Sequence, residues 1–326
     1  MHHVYTSLST FPCDILGWQP HEMGDEVTLL HFTDIYNLPS RRWQEPVGGA
    51  ARLQTLLQSD AHKDPLVLFS GDALSPSLES QATKGSHMVD ALNKLNVNAA
   101  VPGNHEFDFG LENFEEQVGR SSFPWLLSNL VQQKTGLPPS GVVPHLVLER
   151  HGHRIGLIGL VGDWWWKQVA TKNETSIHTD PVEAAVQAVS HLREKEQCEA
   201  VVALTHMDKR EDERLAREVP GLALVLGGHD HGYSANRVDG KGIWVVKSGT
   251  EFRHLSVIKL TFKEEEEEGG VEVEVEKKDV TSSVAISSGW EGGITWGQKI
   301  SLLPKYAGWA ILYHGYKRLA RIKRIC

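Results

Sequence analysis

Five short apolar runs in this chain each stop on a residue able to hold a metal ion, and that pattern constrains the fold more than any other feature. Residues 27–32 run into Asp34, 66–69 into Asp72, 97–101 into Asn104 and His105, 200–204 into His206, and 222–226 into His229 and His231. Runs of this length bounded by turn-forming residues read as buried strands. Helical stretches lie between them. Residues 50–58 put Ala50, Leu53, Leu56 and Leu57 on one face, 88–95 reads as a return helix, and 181–193 opens on a proline. This alternation predicts an α/β chain with parallel pairing. In open sheets of that kind ligands bind beyond the carboxyl ends of the strands, so one crevice gathers the five polar endings.

The stretch 101–110 is the most crowded of these endings. Asn104, His105, Glu106 and Asp108 fall within five positions, beside Pro102, Gly103 and Gly110. Each polar side chain would need a buried partner inside a strand or helix, so a loop presenting chemistry is the better reading. Glu106 and Phe107 read as frame rather than chemistry. Carboxylates and an amide mixed with imidazoles, with no thiolate among them, suit Zn, Mn or Fe. The donors are too many for one ion and right for two that share a carboxylate, and Asp72 is the central candidate for that bridge. A lone histidine or a lone Gly-Asp pair is ordinary; the joint pattern carries the reading. In Gly228-His229-Asp230-His231 the two imidazoles are expected to face the same way, as alternate positions of an extended segment do. Asp108 is placed to accept from His105 and fix its tautomer.

Charge and cysteine content narrow the functional classes. A formal net charge of −9 argues against stable nucleic-acid binding, which relies on basic surface. Cys13, Cys198 and Cys326 are odd in number and far apart, so neither a disulfide framework nor a cysteine cluster for zinc is expected, and the chain reads as a reduced, cytoplasmic protein. No apolar run is long enough to span a bilayer. Residues 1–26 look like an irregular leader, 27–280 like one catalytic domain, and 281–326 like a different kind of sequence. Beyond Glu291 that tail holds Lys299, Lys305, Lys317, Arg318, Arg321, Lys323 and Arg324 and no acid. It reads as a terminal helix or loosely held end, with a weak membrane or protein contact as the other reading. The acidic run 264–268 reads as a solvated hairpin loop. Trp164, Trp165 and Trp166 offer either a packed cap or an aromatic platform for a base, and Asn129 is a further candidate to line the pocket.

The motifs Thr33-Asp34-Ile35-Tyr36, Gly71-Asp72, Gly103-Asn104-His105-Glu106, Thr205-His206 and Gly228-His229-Asp230-His231 resemble, in order, those of the calcineurin-like metallophosphoesterases. The wording of 103–108 and of 46–52 resembles the branch containing 5'-nucleotidases and 2',3'-cyclic-nucleotide phosphodiesterases. The resemblance implies a four-layer sandwich of two mixed β-sheets packed face to face and flanked by helices. It implies two divalent metal ions, one held by Asp34, Tyr36, Asp72 and His231 and the other by Asp72, Asn104, His206 and His229. Tyr36 stands where the family motif has histidine. His105 and Asp108 are implied as the catalytic acid and its orienter. The implied activity is hydrolysis of a small phosphate ester, a nucleotide by branch, through attack of metal-activated hydroxide on phosphorus. A metal-binding remnant without turnover, or a broader phosphodiesterase or nuclease, are the rival expectations. That branch normally carries a C-terminal nucleotide-binding domain, and the basic, aromatic tail 281–326 is expected to be a truncated or divergent end in its place.

Overall fold

The computed structural model describes residues 26–40, 43–133, 135–163, 176–239, 242–263, 270–288 and 290. The leader, the three tryptophans, the acidic run and nearly all of the basic tail lie outside the described residues.

Two mixed sheets form the centre. The first is five-stranded, in the order β13 (Val271–Asp279), β12 (His254–Phe262), β1 (Glu26–Phe32), β2 (Leu66–Phe69) and β3 (Ala99–Ala100). Strands β1, β2 and β3 run parallel, while β12 pairs antiparallel with both β1 and β13. The second is six-stranded, in the order β10 (Tyr233–Arg237), β11 (Trp244–Ser248), β9 (Leu224–Gly227), β8 (Ala200–His206), β6 (His153–Val161) and β5 (His145–Arg150). Its four inner strands are parallel and its two edges antiparallel. A small pair, β4 (Leu130–Gln132) with β7 (Ser176–His178), lies apart.

Side-chain alternation explains the layering. Along β8, Val202 and Leu204 join Leu224 and Leu226 of β9 in the larger core, which also contains Leu29, Leu30 and Phe32 of β1 and Phe69 of β2. The intervening Val201, Ala203 and Val225 face the opposite way. There they meet Ala185, Val189 and Leu192 of α5 (Pro181–Glu194) and Leu215 and Ala216 of α6 (Lys209–Glu218). Strands buried on both faces are the physical reason their sequences are continuous apolar runs. Each such side chain taken fully out of water contributes about 1.5–3 kcal/mol. On the outer side of the first sheet lie α1 (Ala50–Leu57), α3 (Ser86–Lys94) and α4 (Leu111–Arg120), through Leu53, Met88, Leu92 and Phe114. A short α2 (Leu78–Thr83) precedes α3, capped by reciprocal Ser77 and Ser80 hydroxyl bonds. The result is a four-layer α/β sandwich, helices outside and two sheets within.

Two expectations change. The run 97–101 supplies only the two residues of β3, because the chain there turns to pair with the next segment, Leu126 N–H donating to Ala100 O at 2.7 Å. Helices α2, α4 and α6 and the edge strands β5 and β10 are not evident from the apolar pattern. No helix among the described residues is long and apolar enough to cross a membrane.

Candidate metal centre

The carboxyl ends of the parallel strands converge from both sheets. β1, β2 and β3 deliver Asp34, Asp72 and Asn104, and β8 and β9 deliver His206, His229 and His231. Asp72, His206 and His229 present ligand atoms within 4.8 Å of one another, and so do Asp34, Asp72 and His231. Asp72 belongs to both clusters.

Backbone geometry aims these side chains. Asp34, Asp72, His229 and His231 all hold left-handed φ, at 53°, 64°, 81° and 54°. Such conformations cost on the order of 1–3 kcal/mol each and persist where the surroundings over-determine them. Here they reverse the chain at the strand ends. The two histidines are therefore not alternate positions of an extended segment; the turns send His229 to one cluster and His231 to the other. Asp34 N–H donates to Gly71 O at 3.0 Å, and Asp34 O accepts from Glu251 N–H at 2.9 Å and Thr250 Oγ1 at 2.7 Å. Its carboxylate accepts from Thr33 Oγ1 at 2.7 Å and His229 N–H at 3.0 Å. Gly103 and Gly228 admit no side chain: a Cβ would fall 2.2 Å from Asp72 Oδ1 at the first and 2.2 Å from Ser70 O at the second.

His206 is fully buried, and its Nδ1 bonds Ser70 O at 2.7 Å. A carbonyl accepts only, so Nδ1 carries the proton and Nε2, 3.3 Å from Asp72 Oδ2, offers its lone pair. Tyr36 OH lies 3.3 Å from Asp34 Oδ1, 3.2 Å from Asp72 Oδ2 and 2.8 Å from His231 Nε2. Its hydroxyl thus lies within hydrogen-bond distance of all three members of the Asp34 cluster. His105 Nδ1 lies 2.7 Å from Asp108 Oδ2, and His105 N–H donates to Asp72 Oδ1 at 2.9 Å.

Glu106 holds the frame. Its buried carboxylate accepts from four backbone N–H groups, those of Asp72 at 2.8 Å, Ala73 at 2.6 Å, Leu74 at 3.1 Å and Gly103 at 2.5 Å. It thus ties the loop after β2 to the loop after β3. Only its place between His105 and Asp108 hints at this in the sequence. Asn129, by contrast, is 1 % exposed and spends its amide on the backbone of Val161, at 2.9 and 3.0 Å, so it braces β6 rather than lining a pocket.

The electrostatics call for added positive charge. Burial alone would raise the Asp72 carboxyl, but the neighbouring His206 and His105 hold it well below the usual range. Burial would depress the His206 imidazolium, yet Asp72 and Asp34 lift it to about 9. Burial and the Asp72 and Asp34 charges push the Tyr36 phenol far above its ordinary value. His231 rises through its bond to Asp34, whereas burial and His206 lower His229. Asn104 Oδ1 is buried with no hydrogen-bond partner among the described residues, an acceptor left open on the loop beside Asp72. Carboxylate, amide and imidazole donors, two clusters sharing one aspartate, and an open buried acceptor fit a pair of divalent ions.

The chain is similar to known proteins in sequence and in fold. The chain is 27 % identical to the 5'-nucleotidase of Mus musculus over 238 residues, covering 67 % of this chain and 40 % of the relative. It is 28 % identical to the 5'-nucleotidase of Vibrio cholerae over 225 residues, 63 % of this chain and 40 % of the relative. It therefore spans under half the length of these curated relatives. Among solved structures, a 5'-nucleotidase precursor from Thermus thermophilus superposes with a TM-score of 0.70 at 23 % identity, covering 88 % of this chain and 60 % of that one. The calcineurin-like phosphoesterase YfkN from Bacillus subtilis gives 0.67 at 19 % identity, covering 88 % and 98 %. Those two likenesses concern the fold. Residues 27–233 match the family model described as calcineurin-like phosphoesterase, a span that begins within β1 and contains every donor of both clusters. On that match, the chain belongs to the calcineurin-like phosphoesterase family.

Proposed function

We propose that this chain is a dinuclear-metal phosphoesterase that hydrolyses phosphate esters of nucleotides. The observation that carries the reading is the shared Asp72, which among the described residues belongs both to the cluster with His206 and His229 and to the cluster with Asp34 and His231. Asp34, Tyr36, Asp72 and His231 would hold one ion, and Asp72, Asn104, His206 and His229 the other. Divalent ions in such a pair supply Lewis acidity towards phosphoryl oxygens.

The remaining chemistry belongs to the protein. Asp108 engages His105 Nδ1 and leaves Nε2 as the working nitrogen, 4.0 Å from Asp72 Oδ2 and so beside the shared carboxylate. Burial would depress the His105 imidazolium, but the Asp108 bond raises it, and a proton on Nε2 would be available to a departing alkoxide. The nucleotide part of the proposal is supported by the names of the relatives, 5'-nucleotidases of mouse and Vibrio cholerae.

Protein loaded with Mn2+ or Zn2+ and offered p-nitrophenyl phosphate, its bis ester and AMP tests both levels. Turnover of AMP above the bis ester is expected, and folded, metal-loaded protein that turns over none of the three overturns the reading. His105→Asn should retain metal and lose about 10²–10⁴-fold in kcat. Full activity there refutes the proton role.

A further inference from the structure

Behind the imidazoles, on the other face of the six-stranded sheet, lies a buried charge cluster that the ligand sets do not use. Thr205 of β8, Gly227 of β9 and Lys247 of β11 stand in register across three parallel strands. All three face α6, whose Asp212 is fully buried. Lys247 is 2 % exposed. Its Nζ donates to Met207 O at 2.7 Å and Gly228 O at 2.7 Å, and it pairs with Asp230 Oδ2 at 3.0 Å and with Asp212 Oδ2. Thr205 Oγ1 donates to the other oxygen of Asp212 at 2.5 Å. Gly227 leaves the space through which the lysine passes: a Cβ there would fall 2.5 Å from Asp212 Oδ2 and 3.1 Å from Lys247 Cδ.

The acceptors of this one ammonium are placed in a particular way. Met207 follows His206, Gly228 precedes His229, and Asp230 separates His229 from His231. We propose that Lys247 is a positioning residue of the metal centre, fixing the backbone beside all three imidazoles and so setting their spacing from Asp72. The role rests on the reading of the two clusters as metal subsites. A lysine that served only to fill and neutralise the interior would need the Asp212 pair, and not two carbonyls chosen from the two ligand-bearing loops.

The test is calorimetric titration of the full chain with Mn2+ and with Zn2+, comparing wild type, Lys247→Met and the double variant Lys247→Met/Asp212→Leu. The double variant removes the carboxylate that the single change would strand, and carries the comparison if the single variant does not fold. Folded variants are expected to bind metal about 10–100-fold more weakly, as loss of the groups that orient metal ligands does. Their p-nitrophenyl phosphate turnover should fall at limiting Mn2+ and return when Mn2+ is raised in proportion, with KM for the ester unchanged. A folded variant with lowered thermal stability but wild-type metal affinity overturns the role of Lys247 alone. Wild-type protein that takes up no metal overturns the metal-centre reading, and this role with it.

Discussion

Replacing Glu106 by glutamine should cost the fold far more than an isosteric surface change. Each carboxylate oxygen serves two backbone donors: Oε1 those of Ala73 and Leu74, Oε2 those of Asp72 and Gly103. An amide keeps one oxygen, so either orientation of the glutamine forfeits one pair and turns an NH2 group toward two N–H groups. A buried donor left unsatisfied costs about 1–3 kcal/mol, so two of them cost about 2–6 kcal/mol. Against a whole-domain stability of about 5–15 kcal/mol, Glu106→Gln should fold but unfold well before wild type. Alanine strands four donors and about 4–12 kcal/mol, enough to prevent accumulation of folded protein. Urea unfolding of metal-free protein, followed by tryptophan fluorescence, reads the difference directly. A Glu106→Gln variant within about 0.5 kcal/mol of wild type, at equal m-value, would refute the clamp.

Tyr36→Phe deletes the oxygen that lies 2.8 Å from His231 Nε2, so elemental analysis at limiting Mn2+ should show one ion lost of two; unchanged stoichiometry would exclude the phenol as a donor. His31 is buried between Ser248 Oγ at 2.6 Å and Ser70 Oγ at 2.9 Å, and burial together with the Lys247 charge holds its imidazolium down at about 3. The unfolded chain takes up that proton near pH 6.5 and the native state does not. Stability therefore falls as pH drops from about 6.5 towards 3, by about 2 kcal/mol at pH 5. His31→Gln should flatten that part of the stability profile, and an unaltered acid slope would contradict the assignment. Gly228→Ala drives a methyl to 2.2 Å from Ser70 O and 2.6 Å from His206 Nδ1, so both thermal stability and metal uptake should drop. A variant matching wild type in both would show that the loops yield freely.

The sequence is most legible where a strand buried on both faces ends in a polar residue, because the apolar run and its abrupt stop are both local signals. That is why Asp34, Asp72, Asn104, His206, His229 and His231 stand out from the order of the amino acids alone. It is least legible where a polar group is buried by a distant partner. In α6 the interior positions include Asp212 beside Leu215 and Ala216, and an aspartate facing inward hides the amphipathic stripe. Lys247 is the one charged residue of the otherwise apolar and hydroxylic β11, yet it is 2 % exposed because Asp212 and two carbonyls enclose its charge. Glu106 reads as frame, but that it grips four amides depends on the loop after β2, some thirty residues earlier. The left-handed turns at His229 and His231 escape a reading based on alternation, since nothing in Gly-His-Asp-His distinguishes an extended segment from two successive reversals.

Each donor cluster draws on both sheets, and its members are far apart in the chain: Tyr36 and His231 are separated by 195 residues, and Asp72 and His206 by 206 − 72 = 134. An ion seated on either cluster is thus a long-range cross-link, comparable in topology to a disulfide that closes most of the domain into one loop, though none of its donors is a thiol. Closing a loop of that length restricts the unfolded chain only slightly more than closing a short one, so the restraint matters chiefly for what it joins. Here it would rivet two separately hydrogen-bonded sheets at the carboxyl ends of their parallel strands. Metal loss in this architecture would loosen a seam between two halves of the molecule, in the manner of a subunit interface giving way, and leave the strands of each half paired.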